Sequence, residues 1–533
     1  MPDSDDSDNE GGLGNVNRAV MRPPGHSGKA KRGHLCFDAS FETGNLGRVD
    51  YISEYEYDLF IRPDVCNPRY RIWFNFVVDN VRQDQRVIFN IVNFSKTKNL
   101  FRDGMTPLVK STSRNKWQRM SKKHVYYHRS PEHRSNFILS FAFAFDREED
   151  VYQFSICFPY SYSRLQMYLA EVEGLKLSHV RRELLANTVQ ERLCDILTLG
   201  HTTPPGASKP TKTVVVMARC HPGETPSSFI VQGLIDLLVG DHPVATELRK
   251  YVVIKIIPML NPDGVFLGNH RCSVLGADLN RTWQEPSQWG HPTIDAAKKL
   301  LLSLDADKSN GLEIVLDLHA HASLFGCFVY GTTYEDVYRY ERHIVFPKLL
   351  SQNAEDFSPI NTIYNRDPLK LGTARRLLCS QLSDSVNTYS LQVSMHGYID
   401  RHGEGLISYT EEAYMRLGRD LGRALFDYFK AMQVIPSTGR GPQAPSTTTE
   451  RPPRNQSTDA ELERYRLTDS ATSSSRTESP RTPALSGAPR VSVLNMSQLA
   501  RGGHQLTYNR LRARRCRSSH QDTPGKMPPP FSS

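Results

Sequence analysis

The chain has 533 residues, of which 38% are hydrophobic and 23% charged, so it is too long for one core and too apolar to be disordered throughout. Its formal net charge of +9 lies mostly at one end, because residues 434–533 contain 15 Lys and Arg against 7 Asp and Glu, which leaves +8. The rest of the chain is close to neutral, and no run approaches the roughly 18 apolar residues of a membrane-spanning helix. We therefore expect neither a nucleic-acid partner nor membrane insertion.

Both ends of the chain have the composition of disordered segments. Residues 1–33 are acidic and then rich in Gly, Pro and basic residues, and residues 434–533 are rich in Pro, Ser, Thr and Arg. Neither segment has enough apolar surface to offset the entropy lost on ordering. A basic tail of this kind could contact nucleic acid, acidic lipid or an acidic protein, but a solvated tail without a partner is the simpler interpretation.

The nine cysteines indicate a reducing compartment. They are scattered singly, with no paired spacing and no Cys-x-x-Cys motif. The N-terminus also lacks a basic segment followed by an apolar one, as a secretory signal would require. These features predict a soluble, cytosolic protein.

Residues 34–160 contain short β-type runs separated by turn-like or charged segments. The runs lie at residues 55–63, 69–78, 86–94, 136–145 and 151–158. This spacing predicts an antiparallel β-sandwich domain. No cluster of titratable residues recurs in it, so we assign it to packing or partner recognition rather than to chemistry.

Residues 161–433 change to an alternation of apolar strands and amphipathic helices. Predicted strands lie at residues 211–219, 251–260 and 312–322, and predicted helices at residues 227–240, 293–304 and 410–432. This order predicts an α/β domain with a largely parallel sheet covered on both faces. Ligands of such folds bind beyond the carboxyl ends of the strands, so chemistry is expected there.

The first candidate site residues follow the strand at residues 211–219 directly. His221 and Glu224 lie in the turn CHPGETPSS, and the next helix is predicted to begin at Pro226 with Thr225 as N-cap. A histidine and an acid near a helix start are common without any function. This turn alone therefore does not establish a metal site.

A second polar group ends the strand at residues 312–322. Asp317, His319 and His321 alternate along it, so their side chains point to one face of the sheet. Burying three polar groups at the end of an apolar strand is costly unless a metal or a hydrogen-bond network engages them. Together with His-x-x-Glu, one of these histidines completes the His2Glu set of an open catalytic zinc site, which leaves the fourth position for water. The spacing does not settle whether His319 or His321 is the ligand.

The loop between these elements contains the sequence GADLNR. One interpretation is an ordinary charged loop. The other is that Arg281 clamps a carboxylate through both arms of its guanidinium with help from Asn280, while Arg271 stabilises a developing oxyanion. A zinc site beside a carboxylate clamp would describe an exopeptidase that trims a C-terminus.

The motifs HPGE, NPDG, GADLNR and DLHAHAS, in this order after a β-rich region, resemble those of the M14 metallocarboxypeptidases and in particular the cytosolic carboxypeptidases. The resemblance covers roughly residues 34–430. It implies a zinc carboxypeptidase-type α/β domain with a mixed central sheet, preceded by the β-sandwich, and one Zn²⁺ per chain. It further implies removal of glutamates from polyglutamylated tails and side chains, above all those of tubulin. A monomer in the cytoplasm, at microtubules, centrioles or cilia, is expected.

The resemblance also implies roles for single residues. The zinc ligands become His221, Glu224 and His319, because the third ligand of the family is the first His of its Asp-x-His-x-His-Ser segment; here Ala-Ser stands in place of the final Ser. Asn280 and Arg281 match the clamp for the terminal carboxylate. Arg271 matches the transition-state arginine.

The family segment Gly-Thr-x-Arg appears here as GTAR. Arg375 is therefore the candidate that binds the acidic side chain of the departing glutamate. The alternative is that Arg375 is a surface arginine of a helix in the run TARRLL.

One position departs from the family pattern in a way that concerns catalysis. The family's general base is a Glu on a strand reading Tyr-Thr-Leu-Glu-Val-Ser, whereas this chain has Gln392 at that position. An amide holds water but does not take its proton at neutral pH. The loss of a general base typically costs about 10²–10⁴ in rate.

Three interpretations of Gln392 stay open. Another carboxylate substitutes, such as Glu404, Glu411 or Glu412 or one from the substrate, and the chain remains a deglutamylase. Alternatively, the chain is a non-catalytic, zinc-bound binding module for glutamylated tails. In the third interpretation Gln392 is a sequence variant, because Glu and Gln codons differ by one base.

Overall fold

Two sheets packed face to face make up the N-terminal part of the protein. The computed structural model describes residues 14–95, 98–201, 211–307, 310–401 and 405–436. The first sheet has the strand order β1-β2-β5-β11-β7-β8 and the second has the order β3-β4-β6-β10-β9. The strands are β1 (Ala19–Val20), β2 (Cys36–Asp38), β3 (Arg48–Ser53), β4 (Glu56–Phe60), β5 (Asn75–Asp79), β6 (Arg86–Ile91), β7 (Leu108–Ser111), β8 (Gln118–Arg119), β9 (Val125–Ser130), β10 (Asn136–Ala144) and β11 (Tyr152–Ser155).

Aromatic side chains fill the space between these two sheets. The ring centroid of Phe89 on β6 lies 6.2 Å from that of Phe76 on β5 and 5.5 Å from that of Phe154 on β11. All strand pairs of both sheets are antiparallel except β4 and β6, which run parallel. The predicted antiparallel sandwich is confirmed, with this one parallel pair as an addition.

Residues 14–33 differ from the prediction of a disordered segment up to residue 33. β1 pairs with β2, and the side-chain amide of Asn15 donates to the carbonyls of Ala39 and Gly44, each at 2.9 Å. Hydrogen bonds hold this segment together with only two apolar side chains, Val16 and Met21, that pack against the core. Its composition therefore gave little sign of this order. Residues 1–13 lie outside the described residues.

The second part of the protein is built on an eight-stranded sheet with the order β12-β13-β15-β14-β16-β19-β17-β18. Its strands are β12 (Val180–Asn187), β13 (Leu193–Leu199), β14 (Thr211–Ala218), β15 (Val252–Ile257), β16 (Asn310–His321), β17 (Cys327–Gly331), β18 (Ile363–Tyr364) and β19 (Asn387–Ser394). The four central strands are parallel, β12 and β13 pair antiparallel with their neighbours, and β17 is antiparallel to β19 but parallel to β18. The mixed central sheet is therefore confirmed.

Eight α-helices and a small hairpin complete the described fold. The helices are α1 (Tyr162–Gly174), α2 (Pro226–Val239), α3 (Pro243–Tyr251), α4 (Pro262–Leu267), α5 (Pro292–Ala306), α6 (Val337–Asn353), α7 (Ala374–Gln381) and α8 (Glu411–Ala431), and the hairpin strands are β20 (Gly397–Ile399) and β21 (Leu406–Ser408). Short 3-10 helices lie at Leu100–Asp103, Lys122–His124, Pro131–His133, Leu279–Arg281, Pro359–Asn361 and Pro368–Lys370. No helix in the described part of the chain is both long and apolar enough to cross a membrane.

One cluster of buried apolar side chains joins the two parts. It extends from Phe154 in the sandwich through Phe229 on α2 and Leu316 on β16 to Leu421 on α8. The domain boundary at residue 160 stays a prediction, because the core continues across it. Ile435 is also buried, so the C-terminal tail begins later than residue 434; residues 437–533 lie outside the described residues.

The carboxyl ends of three adjacent strands position the candidate site. His221 follows β14, His319 lies near the end of β16, and Gln392 lies near the end of β19. Because β14, β16 and β19 are consecutive parallel neighbours in the sheet, these ends meet at one edge.

Candidate metal centre

A buried arginine supports the turn that carries His221 and Glu224. Arg219 adopts a left-handed backbone conformation with φ of 55°, and its Nε donates to the carbonyl of Pro222 at 2.7 Å. Gly223 lies against the neighbouring loop, since a Cβ there would come within 2.6 Å of His270 Nδ1. The turn is thus fixed from both sides. α2 begins at Pro226 with Thr225 at the N-cap position, as predicted, but the Thr225 side chain makes no capping bond.

His221, Glu224 and His319 converge at the centre of the site. Their potential ligand atoms all lie within 4.8 Å of one another, and all three residues are buried. Nδ1 of His221 lies 2.7 Å from one carboxylate oxygen of Glu224, and Nδ1 of His319 lies 2.8 Å from the other. The structure thus groups the three residues that the family resemblance assigned as ligands. Among the described residues, these three form the one group of at least three His, Cys, Asp or Glu side chains that is placed to hold a metal ion.

The outer nitrogen of each histidine faces a second carboxylate. His221 Nε2 lies 3.0 Å from Asp278 Oδ1, and His319 Nε2 lies 2.7 Å from Asp317 Oδ2. When Nε2 donates to these carboxylates, the lone pair of Nδ1 points to the centre, as a metal-bound imidazole requires. Two imidazoles and a carboxylate are also the donor set of open zinc sites. The residues present therefore fit a zinc ion.

Opposing effects set the pKa values of these groups. Burial alone would raise the pKa of Glu224, but the charges of His221 and His319 and their hydrogen bonds lower it well below its usual range. Burial would lower the pKa of His319, and Asp317 and Glu224 together raise it to about 10. The pKa of Asp278 is lowered, because contact with His221 and the charge of Arg271 outweigh its burial. The pKa values of these buried acids and histidines thus depend strongly on one another, and the carboxylates could also neutralise a bound cation.

His321 lies beside the centre but not in it. Its Nδ1 accepts a hydrogen bond from the backbone N–H of Ser323 at 3.3 Å, and its ring lies 5.6 Å from that of Phe328. The spacing left open whether His319 or His321 is the candidate metal ligand. The geometry favours His319.

Arg271 is held by two acids, one of which comes from the sandwich. Its Nε donates to Asp278 Oδ2 at 2.6 Å, so Asp278 links Arg271 to His221. The buried carboxylate of Asp64 accepts the backbone N–H groups of His270, Arg271 and Cys272 at 2.6–2.7 Å. Neither Asp64 nor Asp278 was singled out from the sequence. The Asp before Leu-Asn-Arg was a readable signal for Asp278, but nothing local pointed to Asp64.

Asn280 and Arg281 lie on the 3-10 helix next to the histidines. The backbone N–H of Ala374 donates to Asn280 Oδ1 at 3.0 Å and so fixes the Asn280 amide. Nδ2 of Asn280 lies 3.0 Å from His319 Nε2. Arg281 is exposed, and its Nη1 donates to the carbonyl of Asn280 at 2.7 Å. The backbone of Gly372 packs against Arg281, because a Cβ at that glycine would lie 2.5 Å from the Arg281 carbonyl oxygen.

Arg375 is buried rather than on the surface of its helix. Its guanidinium donates to the carbonyl of Gly331 at 2.6 Å, to the hydroxyl of Thr332 at 3.1 Å and to the side chain of Asn365 at 3.2 Å. The side chain still lines the cavity described below. The interpretation of Arg375 as a surface arginine is therefore wrong, and its role toward a substrate stays a prediction.

Gln392 lies directly beside the metal centre. On the parallel strands β16 and β19, His319 is the register partner of Gln392, so both side chains point to the same face. Ser390 pairs with Asp317 and Ser394 with His321 in the same register. The half-buried Gln392 side chain lines the cavity beside His319. The register thus places an amide next to the histidine cluster.

The acids considered as substitutes for a general base at position 392 have other partners. Glu411 forms an ion pair with Arg164 at 3.2 Å, and Glu412 forms one with Arg419. Neither lines the cavity, and Glu404 lies outside the described residues. Among the described residues, the carboxylates that line the cavity are those of Glu224 and Asp367, and Asp367 caps the 3-10 helix Pro368–Lys370 by accepting the N–H of Leu369.

A cavity of about 430 Å³ opens over this cluster. Its wall carries more cationic than anionic side chains: Arg271, Arg281, Lys370 and Arg375 against Glu224 and Asp367. This balance favours ligands that carry more than one carboxylate.

Two family profiles match the chain. Residues 165–376 match the profile described as zinc carboxypeptidase, and residues 37–149 match the one described as the cytosolic carboxypeptidase N-terminal domain. The first match lies within the α/β part and ends before β19 and α8, and the second lies within the sandwich.

Similar proteins and structures agree with these matches. The chain is 54% identical over 422 residues to cytosolic carboxypeptidase 6 of Homo sapiens, which covers 79% of this chain and 84% of that protein. It is 45% identical over 409 residues to cytosolic carboxypeptidase 6 of Caenorhabditis elegans, covering 75% of this chain and 88% of that protein. A metallo-carboxypeptidase from Burkholderia cenocepacia, with 22% identity, aligns over 75% of this chain and 99% of its own with a TM-score of 0.63, which shows a shared fold.

Proposed function

The chain belongs to the cytosolic carboxypeptidases of the M14 zinc carboxypeptidase family, and we propose that it removes glutamates from polyglutamylated protein tails. The family supports metallocarboxypeptidase chemistry. The observation that carries the choice of glutamate is the cationic wall of the cavity beside the His221, Glu224 and His319 cluster. A peptide that ends in glutamates brings a carboxylate on the terminal residue's backbone and further carboxylates on its side chains.

Residues of the cavity divide the substrate contacts between them. Arg281 is exposed to the cavity and binds the terminal carboxylate, with the Asn280 amide beside it. Arg375 lies deeper in the wall, where it meets the side-chain carboxylate of the last glutamate. Arg271, which Asp278 orients, faces the oxygen that becomes negative in the transition state.

One zinc ion per chain, held by His221, Glu224 and His319, would polarise the scissile carbonyl and acidify a water at the site. Gln392 holds that water by hydrogen bonds but does not accept its proton. Turnover is therefore expected to be lower by about 10²–10⁴ than with a carboxylate at this position.

Gln392 also supports a second candidate function. A cavity that binds acidic termini but lacks a nearby base fits a zinc-bound binding module for glutamylated tails, without turnover. The described acids proposed as substitutes do not line the cavity, which favours this candidate over a substitute carboxylate from the chain itself.

We extend the proposal to substrates and location. Polyglutamylated tubulin and other proteins with acidic C-terminal tails are the substrates, and the protein acts as a monomer. It works in the cytoplasm, where it meets these tails at microtubules, centrioles or cilia. The relatives named above as cytosolic carboxypeptidases support the compartment.

The decisive experiment compares the zinc-loaded parent protein with a Gln392→Glu variant. Both are incubated with a peptide that ends in several glutamates, and released glutamate is measured together with peptide binding by fluorescence anisotropy. We expect both proteins to bind the peptide and the variant to release glutamate about 10²–10⁴ times faster. Gln352→Glu, an exposed change of the same charge on α6, is the control and should behave like the parent.

The outcomes separate the candidates. Strong release by the parent would exclude the binding module. Release by the variant alone would exclude a substitute carboxylate. If neither protein binds or cleaves the peptide, the deglutamylase proposal itself fails.

A further inference from the structure

The sandwich carries a concentration of positive charge that the cavity does not use. Residues 110–134 contain 8 Lys and Arg and a single acid, Glu132. We call the exposed cations of this segment that lack a carboxylate partner the basic strip. They are Lys116, Lys122, Lys123 and Arg129.

No ion pair joins a member of the basic strip to a carboxylate within the described ranges of the chain. The neighbouring cation Arg114 is compensated, since it is paired with Asp146. Unpaired cations repel one another, so a cluster of them has an electrostatic cost that an acidic partner would relieve. Charges on an edge strand such as β9 can also serve only to prevent aggregation. Lys122 and Lys123, however, lie on a 3-10 helix and not on the strand edge.

Two hydrogen bonds connect this part of the sandwich to the cavity wall. Arg119, three residues before Lys122, donates to the carbonyl of Met395 at 3.2 Å, and Met395 lines the cavity. The N–H of Leu100 donates to the carbonyl of Ala322 at 3.1 Å, and Ala322 lines the cavity as well.

Lys122 lies beside the end of the short helix Leu100–Asp103, whose first residue contacts Ala322. Its ammonium nitrogen is 3.1 Å from the position that a Cβ would take at Gly104, the C-cap of the 3-10 helix Leu100–Asp103. Lys122 also contributes, with burial and Arg119, to lowering the pKa of the buried His396 to about 3. Through Lys122, one end of the basic strip therefore lies near the part of the cavity wall formed by Ala322 and Met395.

We propose that the basic strip binds the acidic residues that precede the terminal glutamates of a substrate tail. This inference rests on the proposed function, and it names what the enzyme recognises beyond the cavity: a run of carboxylates, not a terminal glutamate alone. With the C-terminus in the cavity, the preceding residues leave across a rim, and Lys122 brings the strip close to that rim at Ala322 and Met395. A polypeptide is favoured over a nucleic acid because the strip lies near a cavity that, under the proposed function, takes a C-terminus.

The test uses two labelled peptides with the same three C-terminal glutamates. In one, eight acidic residues precede them; in the other, eight Gly and Ser residues do. Their binding to the full-length, zinc-loaded chain is measured by anisotropy at low and at physiological ionic strength. The strip variant is Lys122→Gln, Lys123→Gln and Arg129→Gln, and the matched control removes as many exposed cations elsewhere with Lys176→Gln, Lys348→Gln and Lys430→Gln.

We expect the strip variant to bind the acidic peptide about tenfold more weakly than the parent at low salt, and the difference to shrink as salt screens the charges. The neutral peptide should bind both proteins equally, and the control triple should match the parent with both peptides. Equal binding of the acidic peptide by the parent and the strip variant overturns the proposal. So does strip-dependent binding of a single-stranded oligonucleotide without strip-dependent binding of the acidic peptide.

A failure of the proposed function would give a different binding result from a failure of the strip inference alone. If the parent binds neither peptide, the carboxypeptidase substrate class is wrong and the strip inference fails with it. If the parent binds both peptides equally well, the cavity works as proposed and the strip inference alone is overturned.

Discussion

Asp64 supports the site from outside the cavity, by way of the backbone rather than of a side chain. Its carboxylate accepts three consecutive backbone N–H groups of the segment that carries Arg271, across 206–208 residues of sequence. Burial raises the pKa of Asp64 and the three donors oppose that rise. One carboxylate thus fixes the path of the backbone on which Arg271 depends.

We predict that Asp64→Ala lowers the free energy of unfolding by about 2–4 kcal/mol, because three buried N–H groups lose a charged acceptor. Binding of a glutamate-tailed peptide should weaken as well, since Arg271 loses its fixed position. Thermal denaturation and anisotropy measure the two effects. Asp64→Asn keeps one acceptor oxygen and the shape of the side chain, so it should lose clearly less stability; equal stability of Asp64→Ala and the parent would refute this role.

The sequence predicted the residues that lie within motifs and missed those that act across the fold. His221, Glu224 and His319 were predictable because short-range spacing and the family pattern mark them. Asp64 was not, because its partners are backbone groups of a distant segment and backbone groups leave no trace in a sequence. The sequence left the position of Arg375 open for a related reason, because two of its four acceptors are the backbone carbonyls of Gly331 and Asn365.

At the scale of elements, strands built from apolar runs were predicted and charged strands were not. The runs that became β14, β15 and β16 are largely apolar, as expected of strands that helices cover on both faces of the sheet. By contrast, β9 reads VYYHRS, and its exposed polar residues concealed an edge strand. The pairing of β16 with β19 also required the structure, because a shift of one residue would turn Gln392 to the other face.

The junction between the 3-10 helix Leu279–Arg281 and α7 offers a test at this scale. A Cβ on Gly372 would lie 2.5 Å from the carbonyl oxygen of Arg281 and 3.1 Å from its carbonyl carbon, so backbone must move. We predict that Gly372→Ala displaces Arg281 and weakens binding of a glutamate-tailed peptide by about tenfold, since such overpacking typically costs about 1–3 kcal/mol.

A second glycine serves as the control for this prediction. Gly174 ends α1, and a Cβ there would meet no atom within 4 Å. Gly174→Ala should leave peptide binding unchanged and should not lower the melting temperature, because Ala favours helix over Gly by up to about 1 kcal/mol. If both variants bind the peptide as the parent does, the contact between Gly372 and Arg281 does not position the clamp.

For the molecule as a whole, the sandwich and the α/β part share one core in the described residues. The shared core and the bonds from Asp64 and Arg119 mean that the sandwich both supports the site and adjoins its rim. The sequence predicted each part from its periodicity, but their shared core arises from contacts between segments far apart in the chain. Truncating either part would therefore expose apolar surface of the other.

Asp356 makes the stability of this fold depend on pH. Its carboxyl is 4% exposed, and burial raises its pKa to about 6, although the hydroxyl of Tyr409 donates to it. Because the folded pKa lies above the ordinary value of 3.8, the folded state binds the proton more tightly than the unfolded state. The resulting stabilisation is complete below about pH 4 and is lost as pH rises through about 6.

We predict that Asp356→Asn is more stable than the parent at pH 7.5, by at most about 3 kcal/mol, because the amide keeps an acceptor for Tyr409 without a buried charge. The difference should close as pH falls from 6 to 4, where the parent carboxyl is neutral in the fold. Calorimetric melting temperatures between pH 4 and 7.5 measure it. Asp103→Asn, an exposed change of the same kind, should show no such pH-dependent gap. A gap for Asp356→Asn that stays constant across this range would mean that the carboxyl does not titrate differently in the folded and unfolded states.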